Sequence, residues 1–209
     1  MARRLKDENK TALALLLAAN LAAYYLVAET GYLMAGDWLS LVRNWQKVVP
    51  SGLALIIIGI LNAQLSADAK ARLVFWRWTD PLPGSRAFSL YARKDARVDM
   101  AAIEGKYGPL PHEPKEQNTL WYRLYKSLET DQAVEQAHRE FLFARDYASI
   151  SFLVFVALGI LGLFQFPTTA ALLAYLGLVG AQYVLACRAA QNNGQRFVTT
   201  VLALKGAGR

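Results

Sequence analysis

Cysteine and histidine are nearly absent from this chain: Cys187 stands alone, and His112 and His138 are the only histidines among 209 residues. A single thiol excludes an internal disulfide framework, and three such residues at these spacings match no zinc signature. Cys187 is expected as a small, buried, apolar residue. Also lacking are a Gly-x-Ser-x-Gly elbow, a phosphate loop, a Gly-x-Gly-x-x-Gly fingerprint and an Arg set five to seven residues before a His. His138, within Ala137-His138-Arg139-Glu140, is expected to be exposed or locally hydrogen-bonded. Nothing here assembles a nucleophile with its base. The chain reads as no enzyme, with no cofactor and no metal.

Charge is absent from four long stretches, residues 11–28, 48–67, 147–166 and 168–187. Each is close to the roughly 20 residues that cross a bilayer as a helix. Backbone amides in hydrocarbon must be satisfied within their own segment, and no polar-apolar alternation marks barrel strands, so the stretches read as helices. No cleavage-like boundary follows the first, which is therefore expected to be retained. The third and fourth meet at Gln165-Phe166-Pro167-Thr168, which leaves room only for a tight hairpin, and Pro167 suits a first helical turn. The expected fold is an all-α membrane protein of four transmembrane helices with a helical cytoplasmic insertion between spans two and three. It divides into 1–67 (N-terminal tail and spans one and two), 68–146 (the insertion), 147–188 (the hairpin of spans three and four) and 189–209 (the C-terminal tail).

Of the 23 Lys and Arg, only Arg43 and Lys47 fall in the connector after span one; Arg3, Arg4, Lys6 and Lys10 precede it, and the rest follow span two or span four. The positive-inside tendency then places both termini and the insertion in the cytoplasm. The insertion is nearly balanced in charge, but its first part is basic, with Lys70, Arg72, Arg77, Arg86, Arg93, Lys94 and Arg97 against Asp68, Asp80 and Asp95. Such a patch suits anionic headgroups. It equally suits a phosphate-bearing, nucleotide-like ligand, because Arg pairs with phosphate and Phe75, Trp76, Trp78, Phe88 and Tyr91 offer stacking faces. Arg77, Arg86, Arg93, Lys94 and Arg97 are the candidate ligand contacts, with Arg123, Arg145 and Arg196 as second choices. Phe75-Trp76-Arg77-Trp78 also fits an interfacial aromatic belt with snorkelling arginine.

Thr79 to Arg86 reads as a turn on account of Pro81, Pro83 and Gly84. Residues 97–106 read as a short helix followed by a proline-rich loop with little core of its own, and 116–128 as an amphipathic helix with Leu120, Leu124 and Leu128 on one stripe. Thr130 or Asp131 caps a further helix that nothing interrupts before Phe166, a rod running from cytosol into span three. Asn192-Asn193-Gly194 is expected to interrupt the last helix, leaving Phe197 to Leu204 as an apolar stripe on the membrane or against a neighbour.

Polar residues in the spans are few: Asn20 in the first, Asn62 and Gln64 in the second, Gln182 in the fourth. No intramembrane carboxylate suited to a pump lies deep in a span. The four amides serve either as interhelical hydrogen-bond partners or as lining of a watery path. Small residues at Ala14, Ala18 and Ala22, and at Ala170, Ala174, Gly177 and Ala181, favour close helix contact. Four helices enclose no wide pore, so conduction requires several copies, most simply a cyclic homo-oligomer, of which a tetramer is one candidate.

The run Leu73-Val-Phe-Trp-Arg-Trp-Thr-Asp-Pro-Leu-Pro-Gly-Ser-Arg-Ala-Phe-Ser89, followed by Asn118-Thr-Leu-Trp-Tyr-Arg-Leu-Tyr125, Ala144-Arg-Asp146 and Asn193-Gly-Gln-Arg-Phe-Val-Thr-Thr-Val-Leu202, resembles a family of small bacterial four-span proteins over nearly the whole chain. It is similar to the membrane effectors of bacterial anti-phage systems, most specifically the Hailong type. The resemblance implies a homo-oligomeric channel of the inner membrane that depolarises the infected cell. It also implies control by a nucleotide or oligonucleotide that a nucleotidyltransferase partner makes. The alternatives are a non-conducting, membrane-anchored sensor or scaffold that recruits a soluble partner, and a small lipid- or solute-handling protein.

Overall fold

The computed structural model describes residues 9–208, and within them every regular element is helical. Arg3, Arg4, Lys6 and Arg209, which enter the charge argument, lie outside the described residues. The helices are α1 (Lys10–Ala28), α2 (Thr30–Met34), α3 (Trp38–Arg43), α4 (Val48–Gln64), α5 (Ala67–Phe75), α6 (Ala92–Lys94), α7 (Met100–Tyr107), α8 (Pro114–Lys126), α9 (Gln132–Gln165) and α10 (Thr169–Gly206). Three of them, α1, α9 and α10, are long and apolar enough to cross a membrane; α4 adds a fourth span when taken with the helix after it. The stretch expected at 48–67 is thus divided. α4 ends at Gln64, and Ala67 starts a new helix with Asp68 in its first turn, where an acid favours the positive end of the helix dipole.

The chain forms two compact units. The first comprises residues up to Ser66 together with Asp146–Ala186. Its core gathers Tyr24, Leu55, Ile58, Ile150, Val154, Leu158, Tyr175 and Val179. The Tyr24 ring lies 4.9 Å from Phe166 and meets Tyr175 edge-on at 5.4 Å, and its hydroxyl donates to Gln165 Oε1 at 3.0 Å. Thr168 Oγ1 accepts the Ala171 N–H after Pro167, which caps α10 and fixes the hairpin. Leu15, Ile56, Ile57, Ile60, Phe164, Leu173 and Leu185 all face outward. So much exposed apolar surface is unfavourable in water and favourable in lipid.

The second unit comprises Ala67–Arg145 and the chain from Cys187 onward. It has a core of its own, including Val74, Phe88, Ile103, Trp121, Leu124 and Val134, so the proline-rich region is better packed than its composition indicates. Asp131 accepts the N–H groups of Ala133 and Val134 at the start of α9, as a cap should. Helix α9 then runs unbroken to Gln165. The expected interruption at Asn192-Asn193-Gly194 does not occur, because α10 continues to Gly206. Gly194 instead permits close packing: a Cβ there would meet Phe75 at 2.9 Å and Phe141 at 3.0 Å. Phe197, Val198, Val201 and Leu202 are correspondingly buried in this unit's core.

Candidate anion-binding site

Helix α5 ends at Phe75 and the next residue, Trp76, adopts φ +52° while its N–H still bonds Arg72 O at 3.0 Å. This is the left-handed closing position that glycine normally fills. Asp80 follows at φ +45°. For a residue with a Cβ each such conformation costs about 1–2 kcal/mol. Between them the chain turns so that Arg77 is exposed and Trp78 is 83% exposed.

Pro83 begins a 3₁₀ turn, Pro83–Arg86, and a π-helical turn, Ala87–Tyr91, follows at once. Gly84 makes this arrangement fit, since a Cβ there would sit 2.4 Å from Asn118 Oδ1 and 2.6 Å from the Trp121 ring. Gln117 of α8, 1% exposed, holds the π turn. Its Oε1 accepts from Phe88 N–H, Ser89 N–H and Ser89 Oγ–H, each at 3.1 Å, while Nε2 donates to His112 O at 2.7 Å. Turns of this wide type recur at functional sites.

Arg86 sits at the junction of the two turns. Its guanidinium carbon lies 5.2 Å from the Phe75 ring centroid and 5.5 Å from that of Tyr91, within cation-π range. Nε and Nη2 are buried and have no hydrogen-bond partner. Burial pushes the Arg86 pKa down; the Tyr91 hydroxyl, which interacts with the guanidinium by charge and by hydrogen bond, opposes the shift, and the positive charge of Arg77 adds to it. Burial also raises the Tyr91 hydroxyl pKa, against the opposing pull of Arg86 and Arg77. Arg77 and Arg86 therefore share one electrostatic neighbourhood.

The other candidate cations are placed differently. Arg97 binds Asp95 through both Nε (3.0 Å) and Nη2 (2.7 Å) and also reaches Thr199 Oγ1 at 3.3 Å. The hydrogen bond from Arg97 holds the Asp95 carboxyl well below the usual carboxylate range. Arg93 and Lys94 point to solvent from the short α6. Arg196 pairs with Glu140 at 2.9 Å, Arg145 lies 5.9 Å from the Phe141 ring, and Arg123 is exposed. A cleft of about 540 Å³ opens nearby, lined by Asp68, Arg72, Trp78, Asp80, Lys115 and Asn118 among others. Its two acids offset its two bases, so it offers no net attraction for an anion. Arg72 and Lys115 escaped the sequence-based choice, having no motif to mark them.

In the first unit, Asn20 Nδ2 donates to Leu16 O at 2.8 Å, Asn62 Oδ1 accepts from Ser149 Oγ, and Gln182 Nε2 lies 3.5 Å from Ser151 Oγ. Gln64 is exposed at the end of α4. A cavity of about 830 Å³ is lined by Tyr24, Tyr25, Glu29, Tyr32, Asp37 and Gln165 among others. Neither Glu29 nor Asp37 is among the sequence-based candidates. His138 of the second unit is not exposed: it stacks on Phe197 at 4.7 Å and meets Tyr125 Oη at 3.2 Å through Nδ1. Burial, with Arg145 and Lys126 adding to it, lowers its pKa to about 4.

No family model, curated protein or solved structure matches this chain.

Proposed function

We propose that this protein is a membrane effector of bacterial anti-phage defence, a homo-oligomer of the inner membrane that passes ions under the control of an anionic ligand bound by its cytoplasmic unit. The observation that carries this is the continuity of α9 and α10, each of which contributes residues to both units without a break. A ligand that alters the second unit thereby has a helical route to the spans. The Arg77–Arg86 neighbourhood supports an anionic ligand. The large cavity with Glu29 and Asp37 and no Lys or Arg among its lining supports passage of cations over anions.

A non-conducting, membrane-anchored sensor is the second reading, favoured by the use of Asn20, Asn62 and Gln182 in bonds within the chain. Ion flux from purified protein in liposomes, measured with its oligomeric mass and with nucleotide mixtures added, separates the two. Flux from a defined oligomer that a nucleotide changes is the expected result. Absence of flux from folded protein under every condition refutes conduction and leaves the sensor, to be pursued by capture of its soluble partner.

A further inference from the structure

Among the described residues of the second unit, three buried side-chain nitrogens lack a hydrogen-bond partner: Arg86 Nε, Arg86 Nη2 and Trp121 Nε1. All three are donors. Trp121 is 6% exposed, and its ring abuts Gly84 of the turn that carries Arg86. Buried polar groups are ordinarily satisfied, and a group of donors left over calls for acceptors. The same fold shows what such an edge takes. Arg97 uses its Nε and Nη2 to grip two oxygens of the Asp95 carboxylate, whereas Arg86 has the Tyr91 hydroxyl as its polar neighbour and leaves Nε and Nη2 without an acceptor.

We propose that the Nε–Nη2 edge of Arg86 receives a phosphate group of an anionic ligand. The proposal rests on the ligand-controlled reading above and names the group that is bound and the residue that binds it. Two parallel N–H donors match two phosphate oxygens, a geometry that lysine does not reproduce. Phe75 and Tyr91 hold the guanidinium on its flanks, so the fork is ordered before the ligand arrives. Arg77 supplies a second positive charge, and Trp78 beside it exposes an aromatic face. The phosphate belongs either to a soluble phosphoester or to an anionic lipid headgroup.

The full chain in phosphatidylcholine nanodiscs is titrated with inorganic pyrophosphate, followed by calorimetry and by the thermal midpoint. Saturable binding with a rise in the midpoint is expected. Arg86→Lys weakens it about tenfold or more, Arg86→Met abolishes it, and Lys106→Gln leaves it unchanged. Arg86→Met also retains the apo midpoint, since a methionine suits the aromatic flanks. A parallel series replaces part of the phosphatidylcholine with phosphatidylglycerol. A midpoint shift that needs the anionic lipid and Arg86, without pyrophosphate binding, assigns the phosphate to a headgroup and still supports the site. Equal binding by wild type and Arg86→Lys overturns the proposal. So does wild-type protein that responds to neither probe, or an Arg86→Met variant that unfolds without ligand while Arg86→Lys behaves as wild type. Because binding is read without conductance, a phosphate site in a protein that passes no ions retires the channel and keeps the site. Nucleotide-dependent flux that survives Arg86→Met does the reverse.

Discussion

Replacement of Gln117 by Leu is expected to loosen the π turn that carries Arg86 and Tyr91. The amide is 1% exposed and serves four partners, with Phe88 N–H, Ser89 N–H and Ser89 Oγ on one oxygen and His112 O on the nitrogen. Ser89 and His112 are exposed enough for water to replace their lost partner, which leaves Phe88 N–H as the costly loss. At roughly 1–3 kcal/mol for an unsatisfied buried group, the local stability falls by that amount. Hydrogen exchange reads this directly, because the opening free energy of a segment sets its protection. Amides of Phe88 and Ser89 in the full chain should exchange roughly 5- to 150-fold faster, while those of α1 keep their rates. Gln117→Glu retains the acceptors and loses only the donor to His112, so its effect should be smaller. Unchanged exchange at Phe88 in Gln117→Leu would refute the reasoning: the turn would then be held by packing against Trp121 alone.

Stability of the second unit should fall as pH drops from about 6.5 to about 4, because folded His138 stays neutral with a pKa near 4 and the unfolded chain binds the extra proton first. The contribution amounts to roughly 3 kcal/mol. Denaturant titrations across that window check it, and His138→Phe should flatten the dependence while sacrificing the contact to Tyr125 Oη; an equal slope in the variant would exclude His138 as its source. Asn62→Leu removes the acceptor of Ser149 Oγ and should cost on the order of 1 kcal/mol in detergent unfolding, the usual value for an interhelical bond in a membrane. If the protein conducts, flux should persist in this variant; its loss would mean that Asn62 lines the path.

Three helices long and apolar enough to cross a membrane are legible because unbroken apolar length has few explanations, and the α9 rod because nothing between Asp131 and Phe166 stops a helix; the stretch at 48–67 is the exception, divided after Gln64. Failures came where two residues far apart in sequence decide a local conformation. Asn192-Asn193-Gly194 has the composition of a helix stop, yet the missing Cβ of Gly194 is used to admit the rings of Phe75 and Phe141. Pro81, Pro83 and Gly84 announced a turn correctly. The π turn after it depends on Gln117, 29 residues from Phe88, and no local pattern carries that pairing. Among the candidate arginines, charge and spacing made Arg86 and Arg97 equivalent. What separates them is Asp95, two residues before Arg97 and folded back onto it, against the aromatic surroundings of Arg86.

Residues 76–86 concentrate features that a sequence selected for stability alone would shed. Trp76 and Asp80 hold left-handed backbone where glycine would relieve the strain. Arg86 keeps two buried donors unsatisfied although a methionine of similar length would fill the same aromatic slot. Replacing buried charge by apolar side chains is often neutral or stabilising, so the guanidinium is not explained by the energy of the unliganded fold. Strain and unsatisfied polarity cluster here in one short segment, beside the close fit of Gly84 on α8 and the hold of Gln117 on the turn that follows, as the proposed phosphate site requires of a preorganised group. In that proposal binding falls to Arg86 rather than to the more exposed Arg93 and Lys94, whose side chains incur no such cost.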